Sequence, residues 1–304
     1  MADLFIALSF KDAVNRWVER LVTDHGDSLH AAGLWFLQNG LLPLERLLRG
    51  APPAWLLLAV AALAWHATRS AWQAAGLTGL LYLIGCFGLW DALMQTLAIL
   101  TVATLITLLL GLPLGVWVSR HPRLRTALLP VLDVMQTLPS FVYLIPVLML
   151  FGLGKVPAII ATVVYALPPL VRLTELGIRQ VDPALVEAAT AFGPTRWQLL
   201  LGVQLPLALP SIMAGINQTT MMALAMVVIA SMIGARGLGE EVLLGIQTLD
   251  SGRGLQAGLA IVILAVVVDR ISQGYGRSRR SRQGARGASA AANAGGDGQG
   301  PGGP

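Results

Sequence analysis

The nucleophiles, bases and metal ligands of this sequence do not gather into a catalytic set. His25, His30, His66 and His121 are scattered, and no H-E-x-x-H pattern is present. Cys86 is the sole cysteine and lies in an apolar run, which excludes a disulfide within the chain and a thiolate metal cage; it reads as a small buried hydrophobe. The lysines are Lys11 and Lys155, and Gly154-Lys155 is followed by Val156, where a nucleotide-binding phosphate loop requires Ser or Thr. The run from Gly234 to Gly239 has the glycines of such a loop, but no strand precedes it. It reads instead as a turn between helices, with Glu240 and Glu241 near the start of the next one. Catalytic residues and metal ligands are therefore absent from the reading, and this chain has no apparatus of its own for hydrolysing ATP.

What remains is chemistry of contact. Residues 187–206 read EAATAFGPTRWQLLLGVQLP between two long apolar segments. Asp182 is placed to N-cap a helix with Pro183 at its first position, and Glu187-Ala188-Ala189 can continue that helix with one thin face. Gly193-Pro194 should end it, residues 195–201 should start a second helix with Trp197 exposed as an anchor, and Leu205-Pro206 should break the chain where it returns to the apolar phase. A rigid helix–turn–helix of this kind suits docking of another protein. Two polar clusters sit inside apolar runs: Gln136, Thr137, Ser140 and Tyr143 around Pro139, and Asn217 and Gln218 beside Thr219 and Thr220. Such groups are costly in hydrocarbon unless they face protein or a water-filled cavity, so each cluster reads either as pathway lining or as hydrogen-bonding between helices. Met221, Met222 and Met226 fit an adaptable lining or plain core filling. Pro139, Pro146, Pro168 and Pro169 mark kinks or helix ends.

The elements that must position these residues are membrane helices. The 304 residues are 55% hydrophobic and only 12% charged, about half the charge of a soluble domain. Mean hydropathy is +0.70 and the pI is about 10.0. The basic residues lie in short loops rather than on an aromatic-studded face, which argues against a nucleic-acid partner. Apolar runs occupy residues 54–65, 71–90, 93–118, 138–153, 157–171, 207–233 and 255–268. They predict an all-α integral membrane protein, a polytopic helical bundle of about seven transmembrane helices, with the first the shortest.

Before these runs, residues 1–53 read as amphipathic and suited to the membrane surface, with Trp17, Leu21 and Val22 alternating with Arg16, Glu19, Arg20 and Asp24. The start of the chain lacks the basic leader and apolar core of a cleaved signal peptide. Residues 272–304 are rich in Gly, Ser, Ala and Arg and read as a disordered tail. Arginines concentrate in alternate loops, at Arg69, at Arg120, Arg123 and Arg125, at Arg172, Arg179 and Arg196, and from Arg270 onward. The positive-inside rule then puts the N-terminal region outside, the tail in the cytoplasm, and residues 187–206 on the cytoplasmic side.

The spacing Glu-Ala-Ala, three residues, Gly, nine residues, an aliphatic residue, one residue, Leu-Pro resembles the cytoplasmic coupling loop of ABC-importer permeases. From about Leu93 to Ile271 the sequence is similar to the glycine betaine/proline betaine and choline branch of that family. PSFVYLIPVLMLFGLGKVPAIIATVVYALPP, from Pro139, and INQTTMMALAMVVIASMIGARGLGEEVLLGIQ, from Ile216, carry that similarity. The region ending PPAWLLLAVAALAW resembles the branch's external N-terminal extension.

The resemblance implies a type I importer core over residues 91–271, with a coupling loop at 174–206 and two accessory transmembrane helices at 54–90. It implies a bacterial inner-membrane location and a homodimer of two permease copies in membrane lipid. Two ATP-binding subunits would use ATP and Mg and dock on Glu187, Ala188, Ala189, Gly193, Trp197, Leu205 and Pro206, and an extracytoplasmic binding protein would deliver a quaternary-ammonium solute. Translocation-pathway residues would come from Gln136, Thr137, Ser140, Tyr143, Asn217, Gln218 and Met221, with no cofactor or metal held by this chain. The competing class, a secondary carrier or channel working without an ATPase, calls for ionisable residues within the spans; Arg172, Glu175 and Asp269 read as lying at span ends.

Overall fold

The structure is a computed structural model that describes residues 10–295, with side chains to Tyr275. Among the described residues it is helical throughout, with no strand. Helix α1, Phe10–Phe36, passes through a π-helical turn at Leu37–Leu41 into α2, Leu42–Gly50. Pro52, extended, turns the chain into α3, Pro53–Thr68, and the α1–α2 rod meets α3 at 104°. Asn39-Gly40 thus sits in a widened but unbroken helical turn. Helix α4, Ala71–Cys86, is capped by Ser70, whose side chain accepts from the Gln73 N–H. Helix α5, Trp90–Arg120, is followed by α6, Pro122–Thr137, and α7, Ser140–Phe151. Then come α8, Lys155–Arg179, α9, Pro183–Thr190, and α10, Arg196–Leu199. Helices α11, Leu205–Ile229, α12, Leu238–Gln247, and α13, Ser251–Gly295, complete the chain.

The seven apolar runs all become helix, but not seven membrane-length spans. Among the described residues, four helical stretches are long and apolar enough to cross by themselves, namely Trp90–Arg120, Lys155–Arg179, Arg196–Ile233 and Ser251–Tyr275; counting each of two bent pairs as one span gives up to six. Helix α4 has 16 residues, about 24 Å of helix against a hydrocarbon core of about 30 Å. The run at 138–153 is the sharpest departure. Leu138 and Pro139 are extended, so the 12-residue α7 leaves α6 at 100°, and only the two together have the length and composition of a span. Hydropathy reports an apolar stretch but not a change of direction within it. Pro146, Pro168 and Pro169 lie inside helices and end none of them.

Helix α8 forms the centre, packed along α5 on one side and α11 on the other. Small residues set these contacts. A Cβ on Gly115 of α5 would lie 2.7 Å from Cβ of Thr174, and one on Gly177 of α8 would lie 2.6 Å from Cβ of Ser211 on α11. Glycine lets backbones approach where apolar side chains give no advantage over lipid. The pairs Gly111–Leu170 and Gly115–Thr174 make α5 and α8 parallel, whereas Gly177–Ser211 and Gly215–Leu173 make α8 and α11 antiparallel. The ends of α5 and α8 therefore share one face of the bundle with the start of α11. This loop end also carries residues 180–204. At the far end, the Leu238 N–H donates to Thr96 Oγ1 of α5 at 2.8 Å. Gly237 there has φ +145°, and its Cβ would fall 2.5 Å from that same oxygen, so the turn into α12 requires glycine.

The accessory helices flank this core. Helix α3 runs beside α13, with Gly274 against the Ala67 backbone and His66 Nδ1 3.3 Å from the Tyr275 hydroxyl. Cys86, expected to be buried, is exposed near the end of α4. Helix α1 crosses α7, seating Gly33 against Phe151 and Val156. Helix α13 continues past residue 271 to Gly295. Residues 296–304 of the expected tail, and residues 1–9 of the N-terminal region, lie outside the described residues.

Candidate functional site

Residues 180–206 form a short helix, a turn and a second helix that runs without interruption into α11. Asp182 caps α9 by accepting from the Ala184 N–H at 2.9 Å, with Pro183 in the first turn. Glu187, Ala188 and Ala189 lie in α9, which buries no residue. Gly193 adopts φ +68°, a left-handed conformation that reverses the chain, and nothing stands within 4 Å of its Cβ position. Thr195 and Gln198 then form a capping box, the Gln198 side chain accepting from the Thr195 N–H at 2.8 Å and Thr195 Oγ1 from the Gln198 N–H at 3.3 Å. Leu185, Phe192, Trp197 and Leu201 are exposed here, Phe192 to 91%. The element is capped at both helix starts, buries no residue of α9 and offers several large apolar side chains to the exterior.

The break expected at Leu205-Pro206 is absent. The π-helical turn Leu200–Gln204 carries α10 into α11, with the Leu205 N–H donating to the Leu200 carbonyl. Proline lacks the N–H that an α-helical register would use. The wider turn just before Pro206 absorbs the mismatch, so Arg196–Ile233 runs as one continuous helical stretch.

This element is braced against the core by charge. The Arg120 guanidinium lies 5.1 Å from the Trp197 ring centroid, and its Nη2 donates to the Arg196 carbonyl at 3.2 Å. Glu175, only 2% exposed, faces Arg179 Nη1 at 3.2 Å and Arg125 Nε at 2.9 Å. The Arg125 contact is an ion pair without hydrogen-bond alignment. A further ion pair joins Arg172 of α8 to Asp133 of α6. Glu175 lies in the last turns of α8, as the sequence reading placed it, but is buried and paired there. Its partner Arg179 is the i,i+4 residue and could have signalled the pairing. Between α5, α10 and α11 lies a groove of about 1040 Å³.

The two polar clusters remain separate; among the described residues no hydrogen bond joins them. Gln136 and Thr137 are exposed at the end of α6, where Thr137 Oγ1 donates to the Val134 carbonyl at 2.9 Å. Ser140 is half-buried, and the buried Tyr143 donates its hydroxyl to the Met135 carbonyl, pinning the α6–α7 bend. Asn217 Nδ2 donates to Asp269 Oδ1 of α13 at 3.1 Å, while Gln273 donates to both Asp269 oxygens. Gln218 is exposed and Met221 half-buried, whereas Met226 is fully buried core. The sequence reading also missed Glu45 of α2. It is 3% exposed and bonded through both carboxylate oxygens to Lys155 Nζ at 2.6 and 2.7 Å. No group of three or more His, Cys, Asp or Glu among the described residues could hold a metal ion.

Comparison with known proteins gives this geometry its context. The chain is 48% identical over 247 residues to the glycine betaine/proline betaine transport system permease protein ProW of Escherichia coli K12, covering 81% of this chain and 69% of that one. It is 43% identical over 282 residues to the glycine betaine transport system permease protein OpuAB of Bacillus subtilis 168, covering 92% of this chain and 99% of that one. A solved structure described as an inward-facing conformation of the MetNI methionine ABC transporter matches with a TM-score of 0.57 at 22% identity, over 63% of this chain and 95% of that one. That likeness speaks for the fold. A family model described as the inner membrane component of binding-protein-dependent transport systems matches residues 107–281. The chain belongs to that family, as a membrane transport subunit of the ABC-importer permease type and not an enzyme.

Proposed function

We propose that this chain forms the membrane pathway of an ATP-driven importer for glycine betaine, proline betaine or related quaternary-ammonium osmolytes, and takes its energy through residues 182–206. The observation that carries the coupling role is the exposed, doubly capped α9–turn–α10 element at the end where Arg120, Arg125, Arg179 and Arg196 gather. By the positive-inside rule that end is cytoplasmic, with the N-terminal region outside and the C-terminal helix inside. Two copies of the chain would enclose the pathway, each docking one ATP-binding subunit, and an extracytoplasmic binding protein would deliver the solute. ATP and Mg would belong to the docked subunits. ATP binding there favours one permease conformation through its differential affinity for the two states, and hydrolysis releases it.

The substrate class rests on the names of the relatives and on the resemblance carried by the stretches beginning at Pro139 and Ile216. Gln136, Thr137 and Gln218, which are exposed, are the polar residues we assign to a weak, transient site. Asn217 and Tyr143 are engaged in bonds between elements and are better assigned to holding helices together.

The test uses the chain reconstituted with its ATPase and binding protein. Glu187→Lys inverts a charge on an unburied helix, and Gly193→Asp places a side chain in open space at the turn. Both should leave membrane insertion intact, Glu187→Lys with an unchanged melting temperature and Gly193→Asp with a small drop from the strain of a side chain at φ +68°, while uptake and solute-stimulated ATP hydrolysis fall to background. Normal uptake by both variants would refute docking at this element, and solute flux through the purified chain alone would favour a carrier or channel.

A further inference from the structure

The groove beside the coupling element changes character along its length as a phospholipid does. Its deep part is apolar, formed by Leu112, Pro113 and Val116 of α5 with Leu205 and Leu209 of α11. From Leu112 to Arg120 is about 12 Å along the helix. Over that distance the lining passes to Trp117 and Trp197, then to Arg120, His121 and Arg196 at the mouth, and includes no carboxylate. Tryptophan belongs at the boundary of hydrocarbon and headgroup, and arginine where phosphates lie. Arg120 spends one donor on the Arg196 carbonyl and keeps others for a ligand, and the Arg196 side chain is exposed.

An independent observation lies between these zones. Thr174 of α8 lines the groove opposite Gly115, its side chain is fully buried, and its Oγ1 has no hydrogen-bond partner. A buried hydroxyl without a partner is rare. Here it sits one to two helical turns deeper than Arg120, at the level where a glycerophospholipid carries its ester carbonyls.

We propose that this groove binds one anionic glycerophospholipid of the leaflet facing the coupling element. Its phosphate sits between Arg120 and Arg196 with His121 beside it, an ester carbonyl accepts from Thr174 Oγ1, and an acyl chain fills the apolar part between α5 and α11. Because Arg196 and Trp197 belong to the coupling element, the bound lipid fastens that element to the end of α5. The choice of leaflet rests on the cytoplasmic assignment above. The test needs neither ATPase nor transport, so its failure leaves the coupling role standing.

Purified full-length chain is reconstituted in phosphatidylcholine vesicles with increasing mole fractions of brominated phosphatidylglycerol or brominated phosphatidylcholine, and tryptophan quenching is followed. The difference between wild type and Trp197→Phe isolates the signal from the groove. Half-quenching of that signal should occur at about tenfold lower mole fraction of the anionic lipid. Arg120→Gln with Arg196→Gln should reduce the preference to unity, while Arg120→Lys with Arg196→Lys retains most of it and shows that the fold tolerates change there. Thr174→Val should weaken both lipids alike. Equal quenching by the two lipids, or a preference that survives the double Gln variant, would overturn the proposal. So would efficient cross-linking of Leu209→Cys, in a Cys86→Ser background, to a second copy of the chain, because a protein would then occupy the groove.

Discussion

At the far end of the bundle, a buried carboxylate decides how the N-terminal region is held. Glu45 of α2 meets Lys155 at the start of α8, with side-chain exposures of 4% and 16%. Arg49, one turn on, lies 3.6 Å from Glu45 but 2.5 Å from Asp91, whose hydrogen bond and charge raise the guanidinium pKa above its ordinary value. Arg49 is thus committed elsewhere and is a poor substitute for Lys155. Removing one member of a buried pair leaves an uncompensated charge, at a cost of about 3–5 kcal/mol, whereas replacing both with apolar groups of similar size is often near neutral. Lys155→Met should therefore lower the melting temperature in detergent substantially, and Glu45→Leu with Lys155→Met should recover most of the loss. Equal melting of the single and double variants would show that the pair holds nothing. No local pattern announces this bond, since its members are 110 residues apart and each reads singly as a loop charge.

At the scale of elements, the close packing of α8 makes its glycines sensitive to size. Gly177→Val would drive a side chain into Ser211, whose Cβ is already 2.6 Å from the Cβ position, with the Ala208 carbonyl at 3.3 Å. Overpacking of this kind costs about 1–3 kcal/mol and should separate α8 from α11, lowering thermal stability and uptake together. Ser211→Gly in the same chain should restore part of both; a Gly177→Val chain that melts and transports normally would contradict the packing. The helices themselves were legible because apolar runs longer than a few turns have few other stable forms in lipid. The caps at Asp182 and Thr195 and the turn at Gly193 were legible too, because each depends on residues within three positions. Direction was not. Whether Leu138-Pro139 ends a span or folds it by 100°, and whether Pro206 breaks a helix or follows a π turn, depends on what packs against the chain on either side. The pairing of Asn217 with Asp269 was likewise invisible, because it joins helices 52 residues apart.

For the whole molecule, the remaining question is which end faces the cytoplasm, and two exposed residues suit a direct measurement. Phe192 lies in the turn of the coupling element and is 91% exposed; Leu249 lies between α12 and α13 at the far end and is 89% exposed. Both α5 and α8 run from the far end to the loop end, and α11 returns, so these residues mark opposite faces of the bundle. In a Cys86→Ser background, Leu249→Cys should react with a membrane-impermeant maleimide in right-side-out vesicles. Phe192→Cys should react only in inverted ones. The converse pattern would reverse the topology and with it the coupling role, since an ATP-driven partner has access to the cytoplasmic face alone. Adding the ATPase subunit to inverted vesicles should then protect Phe192→Cys while leaving a second site on the same face, Ser70→Cys at the start of α4, unprotected. Protection of both would indicate general shielding of the surface. Protection of Phe192→Cys alone places the partner on the α9–turn–α10 element. An importer subunit that receives its energy from an ATPase must do so at a surface on that face, and this element, capped and left uncovered by the rest of the described fold, is where such contact would be read.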